Sequence, residues 1–291
     1  MDLDPRLPAG GLEVVERAAR RPRETWACKT QSNKSRPAVT DRAKFISGVT
    51  ASLGHSEVQS PSPDSATAIF ESDETAKLNA DQAMAVATGR SAELIEQMAE
   101  SATAAGWHVH RVANPEDAAE LIADICQKND ARSVLRSAHD VLTDIPLDVA
   151  IRDTGASIGV AESTHSTGSA GSADQSEREK AKKAVFSADV GITGVDYAIA
   201  ETGTVVLHPR KGLSRLVSLA PPIHIAVLRP GEVLESLDEL FAVERDDFLS
   251  GKLSGSLNLI SGPSKTGDIE GTIVTGIHGP LEVHLLILDR S

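Results

Sequence analysis

Cysteine is nearly missing from this chain: Cys28 and Cys126 are the only two among 291 residues, and they form no CxxC pair. That spacing excludes a disulfide framework and a thiolate zinc site. It also excludes an iron–sulfur cluster held by this chain alone, since such a cluster takes about four cysteine ligands. Aromatic residues make up only 3%, so the core must come from Ala, Val, Ile and Leu, which suits layered strands and helices. No run of about 18 or more apolar residues is present, so no integral membrane segment is expected. The N-terminus lacks the apolar stretch of a secretory signal, which makes the cytoplasm the expected compartment. Positive charge is also short: the net charge of −13 and a pI near 5.1 argue against a nucleic-acid partner, which needs a basic surface.

The standard catalytic and nucleotide signatures are missing as well. No GxGxxG opens a helix after a strand and no GxxxxGK[ST] occurs, the nearest approach being Gly262-Pro263-Ser264-Lys265-Thr266. GxSxG and HExxH are absent. The nine histidines are scattered singly, with His278 and His284 near the polar loop Ser261–Asp268 and His208 and His224 elsewhere in the same half; they read as unligated, and no metal site is expected.

What remains has a clear organisation. Residues 1–39 form a basic arm, with eight Lys or Arg against five acids up to Arg36, and disorder is expected there. Residues 40–73, with Pro61, Pro63 and several serines, read as a linker with room for a short helix. Residues 74–291 read as one α/β domain. Helical spacing from Glu74 to Ala105, notably Leu94, Ile95, Met98 and Ala102, predicts one or two helices stopped by Gly106. Trp107–Val112 alternates as a strand, and Asn114-Pro115 caps a helix to about Lys128. Strands at Ser133–Ser137 and Ala156–Ala161 alternate with helices at 147–153 and 175–186, which implies parallel pairing through crossovers. Ile223–Leu228 and Val283–Leu288 read as buried strands, with a helix from Pro230-Gly231 to about Val243 between them.

The densest segment is Ala188–His208, ADVGITGVDYAIAETGTVVLH. It reads as two glycine turns and a buried-looking strand, with Glu201 at a hairpin tip between Tyr197–Ala200 and Thr204–Val206. A carboxylate flanked by apolar strands and partly desolvated is a possible base or nucleophile. Asp196 lies a short strand earlier, and Arg210, Lys211 and Arg215 can pair with these acids or meet an anion. A second polar loop, Ser261–Asp268, offers an anion site built from Lys265 and backbone N–H groups. The competing reading of both acids is turn capping.

GITGVDYAIAETGTVVL, RLVSLAPPIHIAVL and LISGPSKTGDIEGTIVTGIHGPLEVHLLILD, in that order, resemble the LUD domain of the lactate utilization protein C (LutC) family. The resemblance covers about Ala80 to the C-terminus and is strongest from Ala188 onward. It implies a three-layer α/β/α fold of the NagB/RpiA/CoA transferase-like kind, with a mixed, mostly parallel central sheet preceded by N-terminal helices. It implies a role in oxidising L-lactate to pyruvate beside iron–sulfur and cysteine-rich subunits. With two cysteines, this chain would be their non-redox companion: scaffold, substrate-binding or regulatory subunit, with no intrinsic cofactor and the clusters on its partners. Glu201-Thr202-Gly203 resembles the Glu-x-Gly turn of CoA transferases, which leaves a stand-alone acyl or CoA transferase using Glu201 as the alternative, and a ligand-sensing domain as a third reading. The expected site is Glu201 as the catalytic group, with Thr193, Asp196, Thr202, Gly203, Gly262, Ser264, Lys265, Thr266 and Asp268 around a small organic acid.

Overall fold

The alternation of strand and helix resolves into a sheet of six parallel strands. The computed structural model describes residues 42–52, 73–161, 172–210, 213–252, 256–269 and 272–289. The basic arm expected at 1–39 lies outside the described residues. The chain divides into two units, Met1–Ala66 and Thr67–Ser291. Helix α1 (Arg42–Ser52) belongs to the first and falls where the linker left room for a helix. Everything below concerns the second.

Two helices open it, α2 (Asp73–Gly89) and α3 (Ser91–Ala105). Leu94, Ile95, Met98 and Ala102 put one face of α3 into the core, and Leu94 and Met98 are fully enclosed, which stabilises the packing by about 1.5–3 kcal/mol each. The helix stops where expected: Gly106 takes a left-handed conformation and its N–H donates to the carbonyls of Ala102 and Thr103. Next come β1 (His108–Val112) and α4 (Pro115–Lys128), the latter capped by Asn114, whose side chain accepts the Asp117 N–H at 2.8 Å. Then β2 (Ser133–Arg136), α5 (Leu147–Asp153), β3 (Ser157–Val160), α6 (Ser172–Ser187) and β4 (Val190–Gly194) follow in turn.

The segment from β4 onward departs from its sequence reading. Gly191 and Gly194 are not turns but lie inside buried β4. They are needed for close approach: a Cβ on Gly191 would sit 1.9 Å from the Val217 carbonyl oxygen, and one on Gly194 would sit 2.3 Å from the His139 ring. The hairpin after them forms as expected, from β5 (Tyr197–Ile199) and β6 (Thr204–Leu207). The short helix α7 (Leu216–Leu219) and β7 (Ile223–Leu228) come next. The helix expected from Pro230 does not start there. Pro230–Glu232 is a single 3₁₀ turn, β8 (Val233–Leu234) intervenes, and α8 (Leu237–Leu249) begins at a capping box of Ser236 and Glu239. Strand β9 (Asn258–Ile260) is followed by a hairpin of β10 (Lys265–Ile269) and β11 (Thr272–Thr275), so half of the loop expected at Ser261–Asp268 is strand. Strand β12 (Glu282–Leu288) is the last element.

The central sheet runs β1-β12-β7-β4-β2-β3, every pair parallel. The antiparallel content of the mostly parallel, mixed architecture sits in a second sheet, β8-β5-β6-β9, and in the β10–β11 hairpin. Period-two burial sorts the two faces of the central sheet. Ile223, Ile225 and Val227 of β7 and Leu286 and Leu288 of β12 pack with Ile122 and Ile125 of α4 and Ile151 of α5. On the other face, Ala226, Leu228, Val283, Leu285 and Ile287 pack with α3 and the second sheet. That gives helices, sheet, and a mixed layer of helix and sheet: three layers.

Candidate functional site

The strand order picks out one place. From β2 the chain continues to β3 on one side of the sheet, and from the adjacent β4 it continues to β7 on the other. In parallel α/β sheets such a reversal leaves a crevice at the carboxyl ends of the two strands, where ligands bind. Here those ends carry Ser137 and His139 after β2, and Thr193, Gly194 and Asp196 at and just after β4. Leu207, His208, Leu213 and Ser214 close the space. The cavity they enclose is about 20 Å³, room for a single water.

Asp196 is the electrostatic centre. It lies at the joint where β4 leaves the central sheet and β5 enters the second one, and its side chain is 13% exposed. Its Oδ2 accepts the His208 backbone N–H at 2.7 Å and lies 3.3 Å from His208 Nδ1. Its Oδ1 lies 2.8 Å from the Arg210 guanidinium and 3.4 Å from His139 Nε2. Burial alone would raise its pKa. The hydrogen bonds from His139 and His208, together with the Arg210 charge, hold it well below the usual carboxylate range instead.

His208 passes the interaction on: its Nε2 meets Glu244 Oε1 of α8 at 2.5 Å, a buried carboxylate. Burial works to lower the His208 pKa, but Asp196 and Glu244, one on each ring nitrogen, outweigh it and leave the imidazole above its ordinary value. The result is a buried carboxylate–imidazole–carboxylate chain. Beside it, Arg229 follows β7 and reaches Asp140 at 3.1 Å and Glu232 at 3.4 Å. Burial pushes the Glu232 carboxyl up to about 7 against the pull of Arg229 and His139, which poises it to hold or release a proton near neutral pH. Thr193 Oγ1 meets His224 Nε2 at 2.9 Å, and burial keeps the enclosed His224 ring neutral, with its pKa down to about 3. Ser137 is different: its hydroxyl is buried, lines the cavity and has no hydrogen-bond partner among the described residues.

Of the residues expected from the sequence, Thr193 and Asp196 line this cavity. The others lie elsewhere. Strand β5 separates Asp196 from Glu201, which lies in the turn that follows it. Glu201 is exposed, and its N–H donates to the Glu235 carbonyl. Thr202, Gly203, Gly262 and Lys265 gather where α3 ends. Thr202 joins Thr204, which joins Ser261, each hydroxyl pair at 2.7 Å, so the two expected loops do meet. The Trp107 indole N–H donates to the Gly203 carbonyl at 3.1 Å, and Lys265 Nζ donates to the Ala105 carbonyl at 3.2 Å, capping the helix rather than facing an anion. Ser264 is held through its backbone by Pro280 and Gly276, Thr266 pairs with Val274, and Asp268 lies in β10. Sequence reasoning passed over Ser137, His139, Ser214 and Glu244. Recognising Ile192 as part of a strand would have placed two of them, because the reversal between β2 and β4 points to whatever follows both strands.

Cys126 is buried and its thiol is pushed up to about 12 by burial, so it offers no thiolate. Among the described residues, no group of three or more His, Cys, Asp or Glu side chains converges as a metal site, and no helix is long and apolar enough to cross a membrane.

The chain is similar to several known proteins. Lactate utilization protein C of Shouchella clausii (strain KSM-K16) is 39% identical over 102 residues, covering 35% of this chain and 44% of that protein. Lactate utilization protein B of the same organism is 28% identical over 237 residues, covering 68% of this chain and 48% of that protein. The chain thus spans about half the length of these relatives or less. A solved DUF162 family protein from Deinococcus radiodurans covers 68% of this chain and 98% of its own at 23% identity, with a TM-score of 0.44. A family model described as the LUD domain matches residues 95–288, from the buried face of α3 to the last residue of β12, and the chain therefore belongs to the LUD-domain family.

Proposed function

We propose that this LUD-domain chain serves lactate utilization as the non-redox subunit of an iron–sulfur complex that oxidises L-lactate to pyruvate. In this reading the cavity at the carboxyl ends of β2 and β4 takes the polar end of a small organic acid. One observation carries it: Ser137, His139, Thr193, Asp196, His208 and Ser214, the polar lining of that cavity, all fall within the family match at 95–288, and two relatives of the chain are named for lactate utilization. The two-cysteine count fits a division of labour in which electron-carrying clusters sit on partner subunits.

The chemistry suits a polar small molecule. Ser137 supplies a hydroxyl without a hydrogen-bond partner among the described residues, and Arg210, His208 and Asp196 supply charged and polar groups beside the cavity. The cavity opens to solvent, so the polar end of a ligand of lactate's size takes the place of a water while the remainder lies outside. Deletion of the gene is expected to abolish growth on L-lactate and lactate-dependent electron transfer, and affinity purification of the chain is expected to bring down an iron–sulfur protein. Undiminished growth on L-lactate in the deletion strain would remove the proposal.

A further inference from the structure

Three neighbouring strands bring a row of polar side chains to one place. The β2–β4 ladder pairs Arg136 with Ile192 and runs on to Ser137, whose N–H donates to the Ile192 carbonyl at 2.8 Å, so Ser137 comes level with Thr193. Side chains alternate between the two faces of a sheet. Arg136 reaches Asp148 of α5 and Ile192 packs in the core on that face, which leaves Ser137 and Thr193 together on the other. On β7, beside β4, His224 alternates with Ile223 and Ile225 and shares the face of Thr193. Its Nε2 lies 2.9 Å from Thr193 Oγ1. All three side chains are buried, and Ser137 and Thr193 line the cavity.

The row fixes where its hydrogens point. Among the described residues His224 Nδ1 has no partner, and burial keeps the ring neutral with a single proton. An enclosed N–H is rarely left unpaired, so the proton belongs on Nε2, which donates it to Thr193 Oγ1. The Thr193 hydroxyl then keeps its own hydrogen unspent, because His224 is its one partner among the described residues. The Ser137 hydroxyl has none there. Two O–H donors therefore face a space of about 20 Å³, enough for one oxygen atom. Asp196, the acid in the lining, offers nothing to a ligand hydrogen: the His208 backbone nitrogen, His208 Nδ1, Arg210 and His139 Nε2 already surround its two oxygens. The cavity gives hydrogens and takes none.

We propose that Ser137 and Thr193 form a subsite for one carboxylate oxygen of a short monocarboxylic acid, with His224 as the residue that positions the Thr193 hydroxyl. This rests on the ligand-site reading given above and fixes which end of the ligand enters. An anionic oxygen accepts both hydroxyls in charge-assisted bonds, roughly twice as strong as neutral ones. The Arg210 guanidinium, 2.8 Å from Asp196, offsets the charge of that acid. A ligand hydroxyl in the same place would bring a hydrogen with no acceptor, and a buried bond left unmade is costly. The subsite therefore reads the carboxylate and not the α-substituent, so L-lactate and pyruvate enter alike.

Calorimetric titration of the full-length protein with L-lactate, pyruvate, propionate and the uncharged propylene glycol tests this. The three acids are expected to bind with similar affinity and the glycol not at all. Ser137→Ala and Thr193→Val should each weaken all three acids about 10- to 100-fold. His224→Leu should match Thr193→Val, whereas His224→Gln, whose amide donates in place of the ring N–H, should recover most of the loss. NMR of isotopically labelled imidazole nitrogens, with the His224 signals assigned through that variant, is expected to show a protonated Nε2 and a bare Nδ1. Ser137→Ala leaves no other polar group unpaired and keeps the test valid if the Thr193 and His224 variants fail to fold. Glycol binding as tight as that of L-lactate, unchanged affinity in Ser137→Ala, or a His224 proton on Nδ1 would overturn the assignment. So would a lack of binding by all three acids, while growth of the deletion strain on L-lactate decides separately whether the chain serves lactate utilization.

Discussion

Asp196 and His208 hold each other twice, through the 2.7 Å bond from the His208 backbone N–H to Oδ2 and through the 3.3 Å approach of Nδ1 to the same oxygen. The first contact fixes the end of β6 against the joint between β4 and β5, and the second places a charge beside it. Because Asp196 is held below its ordinary pKa of 3.8, its stabilisation is present above that pH and is lost as the pH falls below it. His208 is held above its ordinary 6.5, so its share is complete below 6.5 and is lost as the pH rises through the folded value. Asp196→Asn is therefore expected to destabilise the fold by about 3 kcal/mol near pH 6, since it removes the buried carboxylate that faces both Arg210 and His208 and leaves His208 with Glu244 alone. His208→Gln should flatten the alkaline decline. Urea unfolding of the three proteins across pH measures both effects, and parallel wild-type and Asp196→Asn curves below pH 4 would contradict the assignment.

Glu232 runs the opposite way for an acid. Its carboxyl is raised from 4.5 to about 7, so the folded state bears a penalty that is absent below pH 4.5, grows between 4.5 and 7, and is complete above. The size is on the order of 3 kcal/mol for a side chain this enclosed. Gln keeps the acceptor for the Arg229 N–H, 3.0 Å from the carboxylate in the wild type. Glu232→Gln is thus expected to stabilise the protein at pH 8 and leave it unchanged at pH 4. Equal stabilisation at both values would trace the effect to packing instead of ionisation.

How much of this was legible in the sequence depends on whether the signal was local. Asn114-Pro115 before α4 and Gly106 after α3 are complete in a few residues, and both ends fall where expected. Gly191 and Gly194 give no local sign of lying in a strand, because the reason for them is far away in the chain, at the Val217 carbonyl and the His139 ring. The same distance hides the cavity. Ser137, Asp196, His208 and Glu244 are tens of residues apart and meet only because β2 and β4 are neighbours and α8 packs back onto the second sheet. Asp196 was within reach because an acid in an apolar stretch is conspicuous on its own. Its partners were not.

The two loops at the end of α3 are expected to matter for folding more than for chemistry. Gly262 has φ near +92°, and a Cβ there would lie 2.2 Å from the Ala105 carbonyl oxygen. Gly262→Ala should cost about 2 kcal/mol or more, combining backbone strain with a clash that no flexible side chain can relieve. Glu201→Gln, on an exposed residue, should change stability by less than about 0.5 kcal/mol. The same variant decides the acyl-transfer alternative. Incubating wild-type protein with an acyl-CoA, trapping with hydride and mapping by mass spectrometry should find Glu201 unlabelled, and growth on L-lactate should survive Glu201→Gln. A label on Glu201 would make it a nucleophile.

Ser137 offers the sharpest separation of stability from function. Its hydroxyl is buried without a partner among the described residues, so the folded protein carries the cost of desolvating it and receives no bond from them in return. Removing it in Ser137→Ala should raise stability, by about 1 kcal/mol at most, because nothing else is left unpaired. If the cavity takes the polar end of a ligand, the same change removes a donor aimed at it and should impair growth on L-lactate. Stability and activity would then move in opposite directions, as expected where a strained polar group is kept for binding. A variant both less stable and fully active would mean that Ser137 has a structural partner, such as a bound water, and no part in recognising the ligand. Calorimetric unfolding and growth complementation, measured on the same variant, separate these outcomes.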